Sequence, residues 1–295
     1  MRQGGIPLAD VSIVIPVYRR TEWIGKCIKK LTEQEFEKAF EIIIVDDGSP
    51  NESEMKSAAE KLAGPENISI KYLRNIHAGP AAARNCGVRS SSGRIICFLD
   101  DDSMPDKKWL KEITLPFEKS ESTGLVSGRI SSFDRDSMLS LLLEKTVYAG
   151  KSWATCNIAY RRDVFEALEG FDESFPEPSW EDNDLGIRAK WAGYIHVYNE
   201  QAVVYHPHEK SIEEYKKKCL LNGRGAAVFS RKYLFKKPLW GIGTPLVMSR
   251  RLLYGIFPSV WRRKTINETY LKFLWSFYSL QGFWRAMIGE KHAKN

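Results

Sequence analysis

Two short apolar segments of this chain each end in a cluster of aspartates. Residues 41–46 read EIIIVD and are followed by Asp47, and residues 94–99 read RIICFL and are followed by Asp100, Asp101 and Asp102. Apolar, β-branched runs of this length are typical of buried strands in a parallel sheet. The carboxyl ends of parallel strands meet at one edge, where open α/β sheets bind ligands. The sequence therefore predicts an acidic crevice at that edge, although either cluster alone could simply begin a turn.

Strand and helix patterns alternate through the first hundred residues. Strand patterns cover residues 11–18, 41–47, 68–73 and 94–100, and helical patterns lie between them. This alternation predicts an α/β fold with a mostly parallel central sheet flanked by helices. Five cysteines without a CxxC pair indicate neither a disulfide framework nor a zinc site, and favour a reducing compartment. The first ten residues lack the apolar core of a signal peptide.

The basic charge is concentrated at the C-terminus. The chain carries a net charge of +7, but residues 236–295 hold eleven Lys and Arg against two Glu, which leaves −2 for the rest. The same sixty residues contain eleven aromatic side chains, and charges interrupt every apolar run before the roughly twenty residues that span a bilayer. We expect this segment to lie on an anionic membrane surface rather than to bind nucleic acid. Packing on the catalytic domain, or in a homodimer, is the alternative.

Three individual side chains suggest chemistry, each with a structural alternative. Asp47 could accept the imino proton of a pyrimidine base, or could belong only to the Asp-Gly turn. Arg84, on a helix of small residues, could contact a diphosphate or a base, or form a salt bridge. Asp182, in the first turn of a predicted helix, could be a general base or could simply favour the helix dipole.

An oxygen-rich cation site is the simplest use for three adjacent carboxylates. Mg²⁺ and Mn²⁺ prefer oxygen ligands, and Mg²⁺ commonly bridges one or two carboxylates to substrate phosphates. His206 and His208, which follow an apolar strand, could each supply a further ligand beside the aspartate cluster. A histidine at such a position could also be structural or exposed.

Taken in order, several motifs together resemble glycosyltransferase family 2, a group of inverting enzymes with the GT-A fold. The motifs are SIVIPVY, VDDGS, ARNCGV, GRIICFLDDD, NIAYRRDVFEALEGFDESF and EDNDLGIRAKWAGY, and the resemblance covers residues 11–230. It implies donor contacts by Pro16, Tyr18, Asp47, Arg84, Asp100 and Asp101, a Mn²⁺ or Mg²⁺ held by Asp102 and His206, a catalytic base at Asp182, and acceptor contacts by Asn157, Trp180 and Glu181.

The resemblance also implies an activity and a domain plan. We expect transfer of one sugar from a nucleotide-sugar, a UDP-sugar by the Asp47 argument, to a hydroxyl of a glycan or lipid-linked glycan. The QxxRW motif of processive members is absent from residues 218–229. Residues 1–235 would form the catalytic domain, with a donor half at 11–105 and an acceptor half at 106–235, and residues 236–295 a helical extension on the cytoplasmic face of the membrane. The alternatives are a polyprenyl-phosphate sugar transferase and an inactive carbohydrate- or nucleotide-binding module.

Overall fold

The computed structural model describes residues 9–60, 65–134, 136–146, 150–175, 178–236, 246 and 266–288. Its strands are β1 Val11–Val17, β2 Phe40–Asp46, β3 Ile68–Arg74, β4 Ile95–Phe98, β5 Met104–Pro105, β6 Thr123–Ser132, β7 Ile158–Arg161 and β8 Ile195–His206. Its helices are α1 Thr21–Thr32, α2 Glu52–Glu60, α3 Pro80–Arg89, α4 Trp109–Lys119, α5 Met138–Thr146, α6 Arg162–Ala167, α7 Glu181–Trp191, α8 Ile212–Tyr233 and α9 Ile266–Met287.

The eight strands form one sheet in the order β3-β2-β1-β4-β7-β6-β8-β5. Strands β3, β2, β1 and β4 are mutually parallel, as the strand–helix alternation predicts. β7 is antiparallel to both β4 and β6, β8 is parallel to β6, and the two residues of β5 are antiparallel to β8. The predicted α/β fold with a mostly parallel sheet is confirmed.

Alternate residues of the central strands pack into cores on opposite faces of the sheet. Ile13 and Ile15 of β1 join a core with side chains of α1 and α4, whereas Val14 joins a core with α3 and α7. This period of two is expected for a strand covered on both faces. On the α3 side the packing is close, because a Cβ at Gly87 would lie 2.4 Å from Cγ1 of Val14. The small residues of α3 therefore let its backbone approach the sheet.

The chain divides into two compact units. The first comprises Met1–Phe133, Val147–Pro176 and Asp182–Pro207, and the second comprises Asp134–Thr146, Glu177–Glu181 and His208–Asn295. The predicted division at residue 235 stays a prediction, because compactness alone does not show which segment folds or acts independently.

The second unit contains a tight pair of helices, α8 and α9. A Cβ at Gly223 would lie 1.9 Å from the carbonyl oxygen of Ser279, and one at Gly282 would lie 2.2 Å from that of Leu220. The two helices therefore meet backbone to backbone, and the predicted helical C-terminal extension is confirmed for residues 266–287. Most of the rest of the segment predicted to bind membranes, residues 237–245, 247–265 and 289–295, lies outside the described residues. Within the described part, no helix is long and apolar enough to cross a bilayer.

Candidate active site

The carboxyl ends of β1, β2 and β4 meet at one edge of the first unit. Val17 of β1 is in register with Asp46 of β2, and Val14 of β1 with Phe98 of β4. The residues that follow these strands, among them Tyr18, Asp47 and Asp100, therefore share that edge. The acidic edge expected from the strand pattern is present.

A short strand pairing brings a histidine to the aspartates. Met104 of β5 pairs with Tyr205 of β8, so the turn after β4 lies beside the end of β8. Nε2 of His206 is 3.2 Å from Oδ1 of Asp102 and 3.8 Å from Oδ2 of Asp100. The geometry therefore joins Asp102 and His206, the two residues predicted to hold a cation.

Two arginines balance the remaining carboxylate charge. The guanidinium of Arg84, which is 3% exposed, donates to Oδ1 of Asp100 at 2.9 Å. Arg20, the residue before α1, donates to Oδ1 of Asp101 at 3.2 Å and also to Asp102. Sequence analysis missed Arg20, although it lies only two residues beyond the predicted donor segment at Pro16–Tyr18. Such cations offset the repulsion among three neighbouring carboxylates, of which Asp101 and Asp102 are buried and Asp100 is partly exposed.

The charges in the cluster shift its pKa values in opposite directions. Burial alone would raise the pKa of Asp100, but His206 and Arg84 outweigh it and hold that pKa well below its usual range. Burial raises the pKa of Asp101 to about 7 against the effect of Arg20, and the charges of Asp102 and Asp100 add to the rise. Burial would lower the pKa of His206, yet the carboxylates of Asp100 and Asp102 raise it to about 9. The site is therefore built around tightly balanced charges.

The donor set fits a divalent cation. Nδ1 of His206 is buried and has no hydrogen-bond partner among the described residues, and Oδ1 of Asp102 contacts His206 only as an ion pair without hydrogen-bond geometry. Buried polar atoms without such partners are rare and call for a ligand or another explanation. Carboxylate oxygen and imidazole nitrogen together are ligands that Mn²⁺ and other first-row cations accept.

Asp47 holds the loop that leads into α3. Its carboxylate accepts from the backbone N–H of Ala78 at 3.1 Å and of Gly79 at 2.9 Å, and it lies 2.9 Å from Nδ1 of His77. The ring of His77 stacks on that of Tyr18, with centroids 4.4 Å apart. Sequence analysis did not single out His77, because its place beside Tyr18 depends on this loop. The nucleobase role of Asp47 stays a prediction, and these bonds give its carboxylate a structural role as well.

Asp46, the first carboxylate of the VDDGS turn, has a structural role. Its Oδ1 accepts from the backbone N–H of Ser49, and its Oδ2 accepts from Tyr72 and Arg74 of β3. Gly48, two residues further along the same turn, has φ of +79°, and a Cβ there would lie 3.0 Å from the backbone nitrogen of His77. Gly48 therefore supplies both the left-handed turn and the space that the His77 loop occupies.

Asp182 lies in the first turn of α7 and belongs electrostatically to the same cluster. Its Oδ1 accepts from the backbone N–H and the side-chain amide of Asn183, at 2.6 and 2.8 Å. Burial raises its pKa, the charge of Asp100 adds to the rise, and Asn183 and Arg84 oppose it. A carboxyl whose pKa is raised toward neutrality accepts protons better than an ordinary aspartate, as a general base requires.

The side chain of Asn157 is bonded within the fold. It is 1% exposed; Oδ1 accepts from Nε1 of Trp109, and Nδ2 donates to the carbonyls of Arg129 and Ala202, each at 2.8 Å. Both amide hydrogens and the carbonyl oxygen of this side chain are thus bonded within the fold. The acceptor role predicted for Asn157 stays a prediction that these contacts do not support.

Three other predicted or rival residues belong to the second unit. Trp180 has φ of +75°, donates from Nε1 to Asn222 and packs on Phe229, and Glu181 is buried. Nδ1 of His208 is 3.2 Å from the carbonyl oxygen of Ser140. His206 belongs with Asp102 to the first unit, and Nε2 of His206 lies 3.2 Å from Oδ1 of Asp102.

Comparison with known proteins agrees with this architecture. Residues 12–168, more than half of the chain, match the family model described as "Glycosyl transferase family 2". Glycosyltransferase AglE of Haloferax volcanii is 29% identical over 228 residues, which are 74% of this chain and 73% of AglE. The pre-mycofactocin glycosyltransferase of Mycobacterium tuberculosis is 28% identical over 261 residues, 81% of this chain but only 50% of that protein.

Solved structures share the fold at low sequence identity. A mannosyltransferase from Pyrobaculum calidifontis, solved with GDP-Man and Mn²⁺, superposes with a TM-score of 0.65 at 16% identity, covering 96% of this chain and 88% of that one. Residues 1–349 of TarS from S. aureus, solved with UDP, give a TM-score of 0.53 at 16% identity, covering 96% and 93%. These likenesses show the GT-A fold, and together with the family match they make this chain a glycosyltransferase of family 2.

Proposed function

We propose that this glycosyltransferase moves one sugar from a nucleotide-sugar to a hydroxyl group of a glycan or lipid-linked glycan, with inversion at the anomeric carbon. The observation that carries the proposal is the convergence of Asp102 and His206 at the sheet edge, with Asp182 electrostatically coupled to the same cluster. The structural relatives solved with GDP-Man and Mn²⁺, or with UDP, support a nucleotide-sugar donor and a divalent cation.

Asp102 and His206 would hold the cation, Mn²⁺ or Mg²⁺. When bound, such a cation neutralises charge that develops on a leaving diphosphate. Arg84 and Arg20 would then be drawn from their carboxylate partners toward the phosphate oxygens, which guanidinium groups bind well. The same arginines keep the acidic cluster stable without a donor.

Asp182 would remove the proton from the acceptor hydroxyl. Its raised pKa favours that role, and one carboxylate of this kind suffices for a single displacement. Attack from the face opposite the diphosphate inverts the anomeric carbon, through a transition state of the oxocarbenium type known from glycosidases. Pro16, Tyr18 and Asp47 would hold the nucleobase, and Trp180 and Glu181 would contact the acceptor.

We also propose peripheral binding to an anionic membrane on the cytoplasmic side. Tyr270, Phe277 and Trp284 are exposed along one face of α9, each seven residues, or about two turns, from the next, and Ile288 just beyond the helix is exposed as well. Aromatic faces of this kind beside many basic residues lie in the headgroup region. The cytoplasmic side is proposed from the cysteine pattern of the sequence, which is typical of a reducing compartment.

A panel of UDP-, GDP- and dTDP-sugars tests the donor assignment. With Mn²⁺ present, we expect UDP-sugars to raise the melting temperature more than the others at equal concentration, and Asp47→Asn to reduce that difference. Because Asp47 also holds the His77 loop, the melting temperature of the variant without nucleotide is the control. Tighter binding of a GDP-sugar by calorimetry would contradict the uridine assignment.

A further inference from the structure

A thiol belongs to the same cluster as the carboxylates and the imidazole. One potential ligand atom each from Asp100, Cys156 and His206 lies within 4.8 Å of the other two. Cys156 is 5% exposed and forms no disulfide. The proposed transfer reaction gives this cysteine no role.

The fold fixes the position of the thiol. Cys156 is the middle residue of a short 3₁₀ turn, Thr155–Asn157, immediately before β7. Because β7 runs antiparallel to β4, with Ile158 opposite Phe98, this turn lies beside the chain that leaves β4 toward Asp100. The next residue, Asn157, ties the turn to β6 and to β8 through its two amide hydrogen bonds. Cys156 is thus held on a rigid support, as a preorganised ligand must be.

The distances suit a small, nearly tetrahedral cation. Zinc bonds of 2.0–2.3 Å place tetrahedral ligand atoms about 3.3–3.8 Å apart. Oδ2 of Asp100 and Nε2 of His206 are 3.8 Å apart, at the upper end of this range, and the pairs that include Sγ of Cys156 lie within 4.8 Å, so the three side chains would draw together around the cation. Arg84 binds the other oxygen of Asp100, so it would orient the carboxylate without occupying the ligand oxygen.

The ligand set determines which cations fit. One sulfur, one nitrogen and one oxygen with a fourth position open are typical of Zn²⁺, and Co²⁺ accepts the same ligands, whereas Mg²⁺ requires oxygen. Nδ1 of His206 is buried and has no hydrogen-bond partner among the described residues, so contacts within the fold do not use both nitrogens of this imidazole.

We propose that Asp100, Cys156 and His206 form a site for a thiophilic divalent cation of the Zn²⁺ class. Binding releases the thiol proton of Cys156 and the extra imidazole proton of His206 to solvent, and forms a metal–sulfur and a metal–nitrogen bond, with no change of oxidation state. The site itself does not depend on the proposed function. If that function holds, His206 is shared with the Mn²⁺ or Mg²⁺ site, so Zn²⁺ competes with the catalytic cation and inhibits transfer.

Cobalt spectroscopy tests the sulfur ligand directly. The full-length protein is stripped with EDTA, dialysed and titrated with Co²⁺, and the near-ultraviolet sulfur-to-cobalt charge-transfer band is recorded. We expect the band in the wild type and its loss in Cys156→Ser, with zinc affinity lowered by about tenfold or more. The matched control is Cys86→Ser, at the most exposed of the five cysteines, which should keep the band. A band that survives Cys156→Ser, or one that disappears in Cys86→Ser, overturns the proposal.

A measurement on the wild type avoids any dependence on the variant's folding. X-ray absorption at the zinc edge should show one sulfur neighbour at about 2.3 Å. A first shell of nitrogen and oxygen alone overturns the site even if Mn²⁺-dependent transfer is observed, which leaves the proposed function intact. A zinc–sulfur bond in a protein without transfer activity supports the site and contradicts the function.

Discussion

Nε2 of His206 lies 3.2 Å from Oδ1 of Asp102, although the two residues follow different strands. The contact depends on two residues of β5, which pair with the end of β8 just before His206. The proposed cation ligands are therefore already adjacent in the folded chain. Cation binding then loses little free energy to ordering these two side chains.

The first prediction distinguishes the two histidines. His206→Gln should weaken Mn²⁺-dependent UDP binding by about tenfold or more, because it removes a ligand to the cation. His208→Gln is the matched control, since His208 belongs to the second unit and lies beside Ser140. Calorimetry of UDP binding with and without Mn²⁺ gives the comparison, and equal losses in both variants would rule out the assignment.

The second prediction concerns the proposed base. Asp182→Asn should bind donor and cation normally but lose at least about a hundredfold in the single-turnover rate, as expected for a missing general base. Asp184→Asn is the matched control and should affect stability rather than the rate, because Asp184 is fully buried and forms an ion pair with Arg188. That variant should melt at a lower temperature yet keep its rate when folded.

The same experiment separates the hydroxyl acceptor from a polyprenyl phosphate. A phosphate acceptor is already ionised, so Asp182→Asn would then leave the transfer rate nearly unchanged. That result would contradict the assignment of Asp182 and favour the lipid-phosphate reaction.

Much of the site follows from strand pattern alone, and the rest depends on contacts between distant segments. Because parallel strands end at the same edge of a sheet, Asp47 and Asp100 are expected at that edge regardless of the conformations of the connecting loops. The placement of His206 beside Asp102 depends on β5, a strand of two residues that is too short to show a periodic pattern in the sequence. Strand β8 is continuous through the polar residues 199–201, and its pairing with β6 shifts register there.

Two further features could not be predicted from spacing. Cys156 precedes β7 and His206 ends β8, and β6 lies between these two strands in the sheet. The two residues are therefore far apart in sequence, and no short zinc-binding motif predicts their proximity. Asn157 looks like a polar site residue, but its amide is used to satisfy the backbone of neighbouring strands. Side chains with unusual tertiary partners are where pattern-based inference fails.

The third prediction concerns stability against acid. Glu41, whose side chain is 2% exposed, accepts from Lys71, Ser12 and Ser92 at the opposite end of the strands from the site. Burial would raise its pKa, but these donors lower the pKa to about 2. A carboxyl with a lowered pKa stabilises the fold fully above its ordinary value of 4.5, and the contribution is lost as the pH falls toward 2.

Glu41→Gln should therefore lower the free energy of unfolding by up to about 3 kcal/mol near neutral pH. The difference between variant and wild type should shrink steadily below about pH 4. Urea unfolding over a pH series gives the measurement. A difference that is constant with pH would show that the charge of Glu41 contributes nothing.

The fourth prediction tests the membrane surface. Full-length protein should sediment with anionic vesicles and be only partly released by salt, because basic residues supply a screened attraction and aromatic side chains an unscreened one. Replacing Tyr270, Phe277 and Trp284 by serine should remove the salt-resistant part. Ile195→Ser, at an exposed apolar residue of the first unit, is the control. If the triple variant sediments as the wild type does but no longer forms a dimer, the exposed face of α9 is a contact between two copies of the chain and not a membrane surface.

Cation-dependent donor turnover is the most direct test of the central proposal. Wild-type protein with a UDP-sugar and Mn²⁺ should release UDP and form a product with inverted anomeric configuration, observable by NMR. Removal of the cation with EDTA, or the charge-removing substitution Asp102→Asn, should each reduce the rate at least about a hundredfold, because several kcal/mol of charge stabilisation is lost. Full turnover in EDTA, or by folded Asp102→Asn protein, would contradict the account.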